Sequence, residues 1–326
     1  MDNYILVTGG AGYIGSHMTL ALQAAGERPL VIDDLSAGLR SAVPDGVPLF
    51  AGSVGDAAFV GDIMDRYPIA AIIHFAASVV VPESVARPLD YYRNNTANAR
   101  TLIDCAVQRK VPHLVFSSTA AVYGEPDRTP ISEGQSTQPI NPYGRSKLMV
   151  EWMLDDVARA HPLSYAALRY FNVAGADPDG RAGQSSPNAT HLIKIAVQAA
   201  LGKRDGLDVY GTDYPTADGS CVRDYVHVSD LVAAHIDALR YLRAGNPSVI
   251  CNIGYANGYS VLDVIEVVKR VSGIDFDVRI KGRRPGDPAA LVASNELAKS
   301  LLGWRPRHDD LETIVRHALA WERRLP

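Results

Sequence analysis

Short apolar runs alternate along the first half of the chain with stretches whose apolar residues recur at helical spacing. Such alternation predicts βαβ units built around a parallel sheet. Strands covered by helices on both faces are expected to be almost continuously apolar, as these runs are. The predicted strands span residues 4–7, 29–32, 70–75, 113–117 and 165–171, and the predicted helices span residues 14–25, 57–67, 90–109 and 147–160.

The pattern becomes less regular after Asn172, where glycine- and proline-rich stretches separate shorter elements. Here we predict helices at residues 192–201, 260–271 and 309–323 and strands at residues 222–228 and 278–280. The prediction is therefore an α/β protein with a Rossmann-type doubly wound parallel sheet and a smaller α/β C-terminal lobe. We expect the first domain to span residues 1–172 and the second to span residues 173–326.

Composition narrows the class of protein. A chain of 326 residues with 47% hydrophobic content can bury a sizeable core. Its net charge of −4 argues against a nucleic-acid partner, and it lacks the run of about eighteen apolar residues that a membrane helix needs.

Cys105, Cys221 and Cys251 lack disulfide or metal spacing, so we expect buried free thiols. The first residues do not resemble a signal peptide, so we expect a cytoplasmic protein.

A glycine-rich loop follows the first predicted strand. Thr8 to Gly15 reads Thr-Gly-Gly-Ala-Gly-Tyr-Ile-Gly, in which Gly10, Gly12 and Gly15 fit the dinucleotide-binding spacing. Glycine permits the tight turn and the close approach of the backbone to phosphate. The helix that follows directs free N–H groups and its positive dipole end at an anion. The loop is therefore predicted to hold the pyrophosphate of a dinucleotide.

Asp33 ends the second predicted strand, eighteen residues after Gly15. A carboxylate at this position can accept hydrogen bonds from the adenosine ribose hydroxyls, and it would repel the additional phosphate of NADP. We therefore predict NAD as the cofactor. The neighbouring Asp34 is better suited to forming a turn.

Tyr143 and Lys147 are four residues apart at the start of a predicted helix and therefore share a face. A nearby ammonium and a bound nicotinamide cation would both favour the phenolate, which makes Tyr143 a candidate general base for a sugar hydroxyl. Such a pair is also common on helix surfaces. Its significance rises because an earlier strand ends in Ser117, Ser118 and Thr119, where one hydroxyl could share the hydrogen bond of the substrate.

Together these features resemble the extended short-chain dehydrogenase/reductases and, within them, the UDP-glucose 4-epimerases. The resemblance covers nearly the whole chain. Further segments that carry it are His74-Phe-Ala-Ala77, Val122-Tyr-Gly124, Arg169-Tyr-Phe-Asn-Val-Ala-Gly175, Gly211-Thr-Asp-Tyr-Pro-Thr216 and Val222-Arg-Asp-Tyr-Val-His-Val228.

The resemblance implies a set of residues around NAD. Tyr13 and Ile14 would lie at the phosphates, and Phe171 would lie by the nicotinamide. The full implied set is Gly9, Gly12, Tyr13, Ile14, Gly15, Asp33, Asp34, Leu35, Ser36, Ala37, Gly38, Ser53, Val54, Phe75, Ala76, Ala77, Asn95, Tyr143, Lys147 and Phe171.

The resemblance also implies a UDP-sugar as substrate, bound by the C-terminal lobe, with Thr119 and Tyr143 at its 4-hydroxyl. A diphosphate needs fixed cations, and Arg223 and Arg284 can each bind it in a fork. Without the resemblance, either arginine alone would more often be a solvated or ion-paired surface group. The other implied contacts are Asn172, His191, Val209, Tyr210, Asp287 and Leu291.

The implied reaction is reversible inversion at C4 of a UDP-hexose through a 4-keto intermediate, catalysed by Tyr143, Lys147 and Thr119. An epimerase of another UDP-hexose, such as UDP-N-acetylglucosamine or a uronic acid, is an alternative. A sugar-nucleotide dehydratase or decarboxylase is less favoured, because dehydratases place Asp-Glu after the strand-end threonine, where this chain has Ala120 and Ala121. A non-catalytic NAD-binding regulator would not be expected to keep Tyr143 and Lys147.

Three positions depart from the family pattern. Ser53 stands where many members have Asp beside the adenine, and Val79 stands where some have Lys near the cofactor. Leu291 stands where some members have a large tyrosine at the sugar pocket. A smaller side chain leaves room, so a further hypothesis is that N-acetylated UDP-hexoses also fit.

Two further expectations concern metals and assembly. His227 and His235 lack the neighbouring ligands of a metal site, so we expect structural histidines and no metal. Tyr91 and Tyr92 lie on a helix that in family members forms a two-subunit bundle, so the resemblance implies a homodimer.

Overall fold

The computed structural model describes residues 3–186, 190–284 and 287–326. Its strands are β1 (Tyr4–Thr8), β2 (Pro29–Asp33), β3 (Leu49–Ala51), β4 (Ile69–His74), β5 (His113–Thr119), β6 (Ser164–Tyr170), β7 (Asn172–Ala174), β8 (Leu207–Tyr210), β9 (Val222–His227), β10 (Val249–Ile253), β11 (Gly258–Ser260), β12 (Val278–Lys281) and β13 (Ala290–Leu291). Its α-helices are α1 (Tyr13–Ala24), α2 (Ala57–Arg66), α3 (Val81–Ala86), α4 (Pro88–Tyr91), α5 (Asn98–Gln108), α6 (Pro142–Ala160), α7 (Leu192–Ala200), α8 (Val228–Arg243), α9 (Val261–Ser272) and α10 (Leu311–Glu322). Short turns of 3-10 or π type occupy Arg40–Ala42, Tyr92–Ala97, Ala120–Tyr123 and Ala298–Leu302.

Seven strands of the described chain form one parallel sheet in the order β10-β6-β5-β4-β1-β2-β3. The chain runs outward from β1 to β3 on one side and from β4 on the other, so the connections diverge between β1 and β4. In open α/β sheets a ligand crevice lies outside the carboxyl ends of the strands at such a switch point. The predicted Rossmann-type doubly wound sheet is confirmed.

Side chains of the central strand alternate between two buried layers. Ile5 and Val7 belong to a hydrophobic cluster that includes residues of α1 and α8. Leu6 points to the opposite face, where α2, α5 and α6 contribute to a second cluster. Because both faces are covered, the strands carry apolar residues at nearly every position.

A smaller α/β unit lies beside the carboxyl ends of the large sheet. Strands β11, β9 and β13 are neighbours in one short sheet, in which β7 also pairs with β9, while β8 and β12 form a separate parallel pair. Helices α7, α9 and α10 share a third hydrophobic core that includes Val197, Val264 and Ile314. The structure confirms that the C-terminal part contains a smaller unit of the α/β class.

Two elements that the sequence did not predict belong to the larger unit: strand β10 extends the sheet, and helix α8 covers part of it. Strand β10 pairs with β6, so that Val249 lies opposite Ala166, and α8 packs against β5 and β6. Both elements follow residue 172 in the chain. The division into domains at residues 172 and 173 stays a prediction.

The helix predicted at residues 90–109 differs in the structure. It consists of α4, a π-helical turn at Tyr92–Ala97 and α5. Within this turn the buried Asn95 side chain hydrogen-bonds to Ser78 and Ser146. Periodicity alone did not reveal the turn, because a single π turn changes the helical spacing by one residue. None of the helices in the described ranges is both long and apolar enough to cross a membrane.

Candidate active site

A cavity of about 750 Å³ extends from the glycine loop across the carboxyl ends of the large sheet into the smaller unit. Most of the residues predicted from the sequence line it. They are Gly9, Gly12, Tyr13, Ile14, Gly15, Asp33, Asp34, Ser36, Ala37, Gly38, Ser53, Val54, Phe75, Ala76, Ala77, Thr119, Tyr143, Phe171, Asn172, His191, Tyr210, Arg223, Arg284, Asp287 and Leu291. One cavity therefore joins the predicted cofactor and substrate residues.

The glycine loop has a shape that larger residues would disrupt. Gly9 adopts φ +71°, and a Cβ on Gly15 would lie 2.0 Å from the Gly9 carbonyl oxygen. Helix α1 starts directly after Gly12, which offers no side chain to cap the amides of the first turn. These amides and the helix dipole therefore fit a phosphate group, as a dinucleotide site requires.

The Asp33 carboxylate is buried at the end of β2 and is held by two backbone amides. Oδ2 accepts from Ala11 N at 2.9 Å, and Oδ1 accepts from Leu35 N at 2.8 Å. Burial raises the pKa of Asp33, and these hydrogen bonds partly oppose the rise. Each carboxylate oxygen retains a second acceptor position, which suits a ribose diol.

The loop after Asp33 wraps around the glycine loop. Asp34 forms a turn in which its Oδ1 accepts from Ser36 N at 2.9 Å, as its sequence position indicated. A Cβ on Gly38 would lie 2.8 Å from the Ala11 carbonyl carbon. Leu35, at φ +59°, does not line the cavity among the described residues, in contrast to the sequence expectation. Its left-handed backbone instead directs its amide to Asp33.

Asn95 does not line the cavity either, although Asn94 and Asn98 in the same helical segment do. Its side chain accepts from Ser78 N at 2.8 Å and donates to the Ser146 hydroxyl at 3.0 Å, which fixes the loop after β4 against α6. Asn94 and Asn98, which the sequence reasoning missed, lie on the cavity wall. The π-helical turn changes which residues face inward, and no local pattern indicated this. Val79 is half-exposed at the rim.

Tyr143 and Thr119 meet at the centre of the cavity. Helix α6 begins with the Asn141 side chain, which accepts from Gly144 N at 2.9 Å, and this cap places Tyr143 in the first turn. Burial raises the pKa of Tyr143, and a hydrogen bond with the Thr119 side chain lowers it. The Thr119 hydroxyl oxygen already accepts from Ala121 N at 3.1 Å, so its hydrogen is available to the phenol oxygen.

Lys147 lies behind this pair and does not line the cavity. Its Nζ donates to the Ser117 carbonyl oxygen at 2.9 Å and lies 5.0 Å from the centre of the Phe116 ring. Burial lowers the pKa of Lys147 to about 7. Lys147 thus contacts the strand that carries Thr119 directly, and its expected effect on the pKa of Tyr143 stays a prediction.

The far part of the cavity contains two arginines that suit a diphosphate. Arg223, on β9, donates from Nη1 to the Val222 carbonyl oxygen at 2.8 Å, which leaves its other guanidinium donors available. Arg284 lies 4.2 Å above the Tyr210 ring and 3.9 Å from Asp287. These contacts fix the direction of its guanidinium group. Asn172 is exposed to the cavity from the start of β7.

His191 faces the same region as a neutral imidazole. Burial lowers its pKa, and the Gln184 amide nitrogen lies 2.7 Å from Nδ1. An amide nitrogen only donates, so Nδ1 accepts and Nε2 carries the proton. His191 therefore offers a hydrogen-bond donor to a ligand.

Val209 does not line the cavity, although the resemblance implied that it contacts the nucleotide or the sugar. It is buried in the core of the smaller unit, whereas Asp208 and Tyr210 on either side line the cavity. Successive side chains of a strand point to opposite faces, and Val209 occupies the inward face of β8. Asp208, which pairs with Arg279 at 2.8 Å, was missed because β8 was not recognised as a strand.

The comparisons with known proteins agree with this arrangement. Residues 5–254 match the model of the NAD dependent epimerase/dehydratase family. The chain is 55% identical to a UDP-glucose 4-epimerase of Azospirillum brasilense over 98% of its own length and 92% of the relative. It superposes on the UDP-glucose 4-epimerase of Brucella ovis in complex with NAD with a TM-score of 0.95 at 45% identity, covering 98% of each chain.

A second solved structure is similar over the whole chain. This is the UDP-Glc/GlcNAc 4-epimerase of Campylobacter jejuni, with a TM-score of 0.86 at 46% identity, covering 98% of this chain and 99% of the other. Identity at this level over the full length shows common membership of one family. The chain therefore belongs to the NAD dependent epimerase/dehydratase family and, within it, to the UDP-glucose 4-epimerases.

Proposed function

We propose that the protein interconverts UDP-glucose and UDP-galactose by inverting C4 of the hexose, with NAD as a bound cofactor. The observation that carries the proposal is the single cavity in which the Tyr143–Thr119 pair lies between the glycine loop and the two arginines. A base at a sugar hydroxyl is useful only if the cofactor and the nucleotide handle are held on either side of it.

The residues around the glycine loop fit NAD. The first-turn amides of α1 would receive the pyrophosphate, Asp33 would accept from the adenosine ribose, and Phe171 would lie beside the nicotinamide. When bound, NAD supplies reversible oxidation of the C4 carbon. The buried Asp33 carboxylate disfavours the additional phosphate of NADP.

Tyr143 removes and returns the proton of the 4-hydroxyl. The Thr119 hydroxyl donates its single hydrogen to the phenolate oxygen and so stabilises the charged form of the base. Lys147 holds the strand end through Ser117 and places a positive charge behind the base. Arg223, Arg284 and Asn172 bind the UDP group throughout, so that the sugar can turn and present either face of C4 while the nucleotide stays in place.

The test is to incubate the purified protein with UDP-galactose or UDP-glucose without added NAD and to identify the products. Conversion without added cofactor is expected, because NAD is regenerated in each cycle. The Tyr143→Phe variant is expected to lose most of this activity while it still binds UDP. Near-normal turnover by that variant would overturn the assignment of the base.

A second substrate class is supported by Leu291, which lines the cavity from β13. Leucine leaves more room than a tyrosine would, so we propose that UDP-N-acetylglucosamine and UDP-N-acetylgalactosamine are also accepted. The Leu291→Tyr variant should lose turnover of the N-acetyl sugars and keep turnover of UDP-glucose. If the unaltered protein converts UDP-glucose alone, this extension fails.

A homodimer is supported by an apolar surface on α3, α4 and α6, which pack against one another. Val85, Leu89 and Trp152 are 63%, 79% and 58% exposed there, which is costly for a monomer in water. Sedimentation should show a dimer that Trp152→Glu disrupts and that Ile280→Glu, on the exposed β12, leaves intact. A monomeric unaltered protein would refute the proposal.

A cytoplasmic location is supported by the cysteines. All three thiols are unpaired and buried, as a reducing compartment permits. Cell fractionation with antibodies against the protein would test this location.

A further inference from the structure

Three buried residues of α6, spaced four apart, contact three consecutive residues at the end of β5. Tyr143 bonds with the side chain of Thr119, Lys147 with the carbonyl oxygen of Ser117, and Glu151 with the hydroxyl of Ser118. The contacts follow from residues i, i+4 and i+8 lying on one helix face. The third contact is not used by the reaction as proposed above.

The Glu151 carboxylate is itself held from a third element. Arg169 on β6 donates from Nε to Oε1 at 3.0 Å and from Nη2 to Oε2 at 2.6 Å. Both side chains are buried, with exposures of 6% for Arg169 and 2% for Glu151. A forked pair of this kind fixes orientation, because both donors and both oxygens must stay in one plane.

The network continues to the turn that follows Thr119. Arg169 Nη1 donates to the Tyr123 hydroxyl at 3.0 Å, and this hydroxyl donates to Asn252 Oδ1 at 2.7 Å. Tyr123 ends the turn Ala120–Tyr123, whose first residues line the cavity. The strand end before Thr119 and the turn after it are therefore both fixed to the Glu151–Arg169 pair.

We propose that Glu151 is a positioning residue for the Tyr143–Thr119 pair, acting through Ser118 and Arg169. Ser118 and Thr119 are adjacent in β5, so fixing the Ser118 side chain on α6 also fixes the backbone from which the Thr119 side chain extends. The same helix carries Tyr143 two turns earlier. Glu151 thus sets donor and base relative to each other without touching the substrate.

This inference rests on the proposed function and makes a distinct claim about pH. A hydroxyl that donates to the phenolate stabilises the charged form and lowers the pKa of Tyr143. If Thr119 points less well, that pKa rises. Because the phenolate is the active base, the acidic limb of the kcat profile then moves to higher pH.

The main test uses Ser118→Ala, which removes the hydroxyl and leaves the Glu151–Arg169 pair intact, so the chain still folds. We expect kcat to fall about tenfold with KM changed less than about twofold, and the acidic limb to move up by about half a pH unit or more. An absorbance titration of the tyrosinate, referenced to Tyr143→Phe, should show the same shift. Glu151→Gln should reproduce the direction of both changes.

The matched control is Glu322→Gln, which breaks another buried ion pair, that of Lys194 and Glu322. It should lower Tm and leave the acidic limb and the tyrosinate titration in place. The inference is overturned if Ser118→Ala keeps both kcat and the limb, or if the control shifts the limb equally. If the unaltered protein converts no UDP-hexose, the proposed function fails, and the tyrosinate titration still decides the positioning role.

Discussion

Asp33 Oδ2 accepts a hydrogen bond from the backbone amide of Ala11 at 2.9 Å. This bond joins the end of β2 to the glycine loop, so the carboxylate that suits the ribose also supports the loop that suits the pyrophosphate. The Leu39 amide donates to the Ala11 carbonyl oxygen at 3.0 Å, which closes the connection from the other side. The two halves of the predicted NAD site therefore depend on each other.

Replacing Asp33 with Asn should release the cofactor. The backbone amides of Ala11 and Leu35 each donate to one carboxylate oxygen of Asp33, so the NH2 group of an asparagine would face one of these donors. The substitution also removes the negative charge that would accept hydrogen bonds from the ribose hydroxyls. Loss of charge-assisted hydrogen bonds predicts about a 10- to 100-fold weaker affinity for NAD. The measurement is the NAD content of the purified protein together with a binding titration.

Asp56→Asn is the control for this change. Its Oδ1 accepts from Phe59 N at the start of α2, outside the cavity, and an asparagine keeps an oxygen for that bond. NAD content should stay close to that of the unaltered protein. Equal losses in both variants would mean that Asp33 has no special part in holding the cofactor.

The ends of the parallel strands were predictable from the sequence. Thr8 and Asp33 directly follow apolar runs, and Thr119 ends the Ser-Ser-Thr segment that follows another. The carboxyl ends of parallel strands meet at one edge of the sheet. The sequence therefore predicts that the glycine loop, the acidic residue and the Thr119 hydroxyl lie close together, and all three line one cavity in the structure. Local pattern sufficed because each of these positions is defined by its own strand.

Gly15→Ala tests the shape of the glycine loop. The added Cβ would lie 2.0 Å from the Gly9 carbonyl oxygen, and backbone cannot move away cheaply. We expect loss of bound NAD and a lower Tm, since strain of this size costs about 1–3 kcal/mol. Gly134→Ala, where no atom lies within 4 Å of the new methyl group, should change neither quantity.

The substrate side was less predictable, because its residues depend on pairing between distant segments. Strand β8 is only four residues long, and its partner β12 follows about seventy residues later. Because β8 was not predicted, the sequence did not show which of Asp208, Val209 and Tyr210 face the cavity. Strand β10 joins the large sheet through a comparable long-range pairing. Such contacts are set by tertiary packing rather than by local periodicity.

The alternation in β8 gives opposite expectations for two adjacent residues. Tyr210→Ala removes the ring beneath Arg284 and should raise KM for the UDP-sugar about two- to fivefold, as expected for a partly exposed cation–π contact. Val209→Ala should instead lower the free energy of unfolding by about 1–3 kcal/mol and leave KM unchanged, because the side chain lies in the core. Steady-state kinetics and denaturant unfolding separate the two. A raised KM in the folded Val209 variant would contradict the assignment of its side chain to the core.

Lys147 should make the stability of the protein depend on pH. Its pKa is lowered by burial from 10.5 to about 7, so between these values the unfolded chain binds a proton that the folded protein does not. The stability of the folded protein therefore rises with pH across this window. The destabilisation caused by burying the charged Lys147 is fully present below about pH 7. A pKa shift of this size corresponds to a rise of about 5 kcal/mol in the free energy of unfolding.

Lys147→Met should remove this rise, because methionine fills similar space without a charge. Urea unfolding at several values between pH 7 and pH 10 should give a flatter curve for the variant, with the largest gain over the unaltered protein at pH 7. Lys281→Met, on the exposed β12, should follow the unaltered protein. Parallel curves for Lys147→Met and the unaltered protein would show that the ammonium bears no burial penalty. The gain in stability should come with loss of turnover, since the same buried charge supports the base at Tyr143 and holds Ser117.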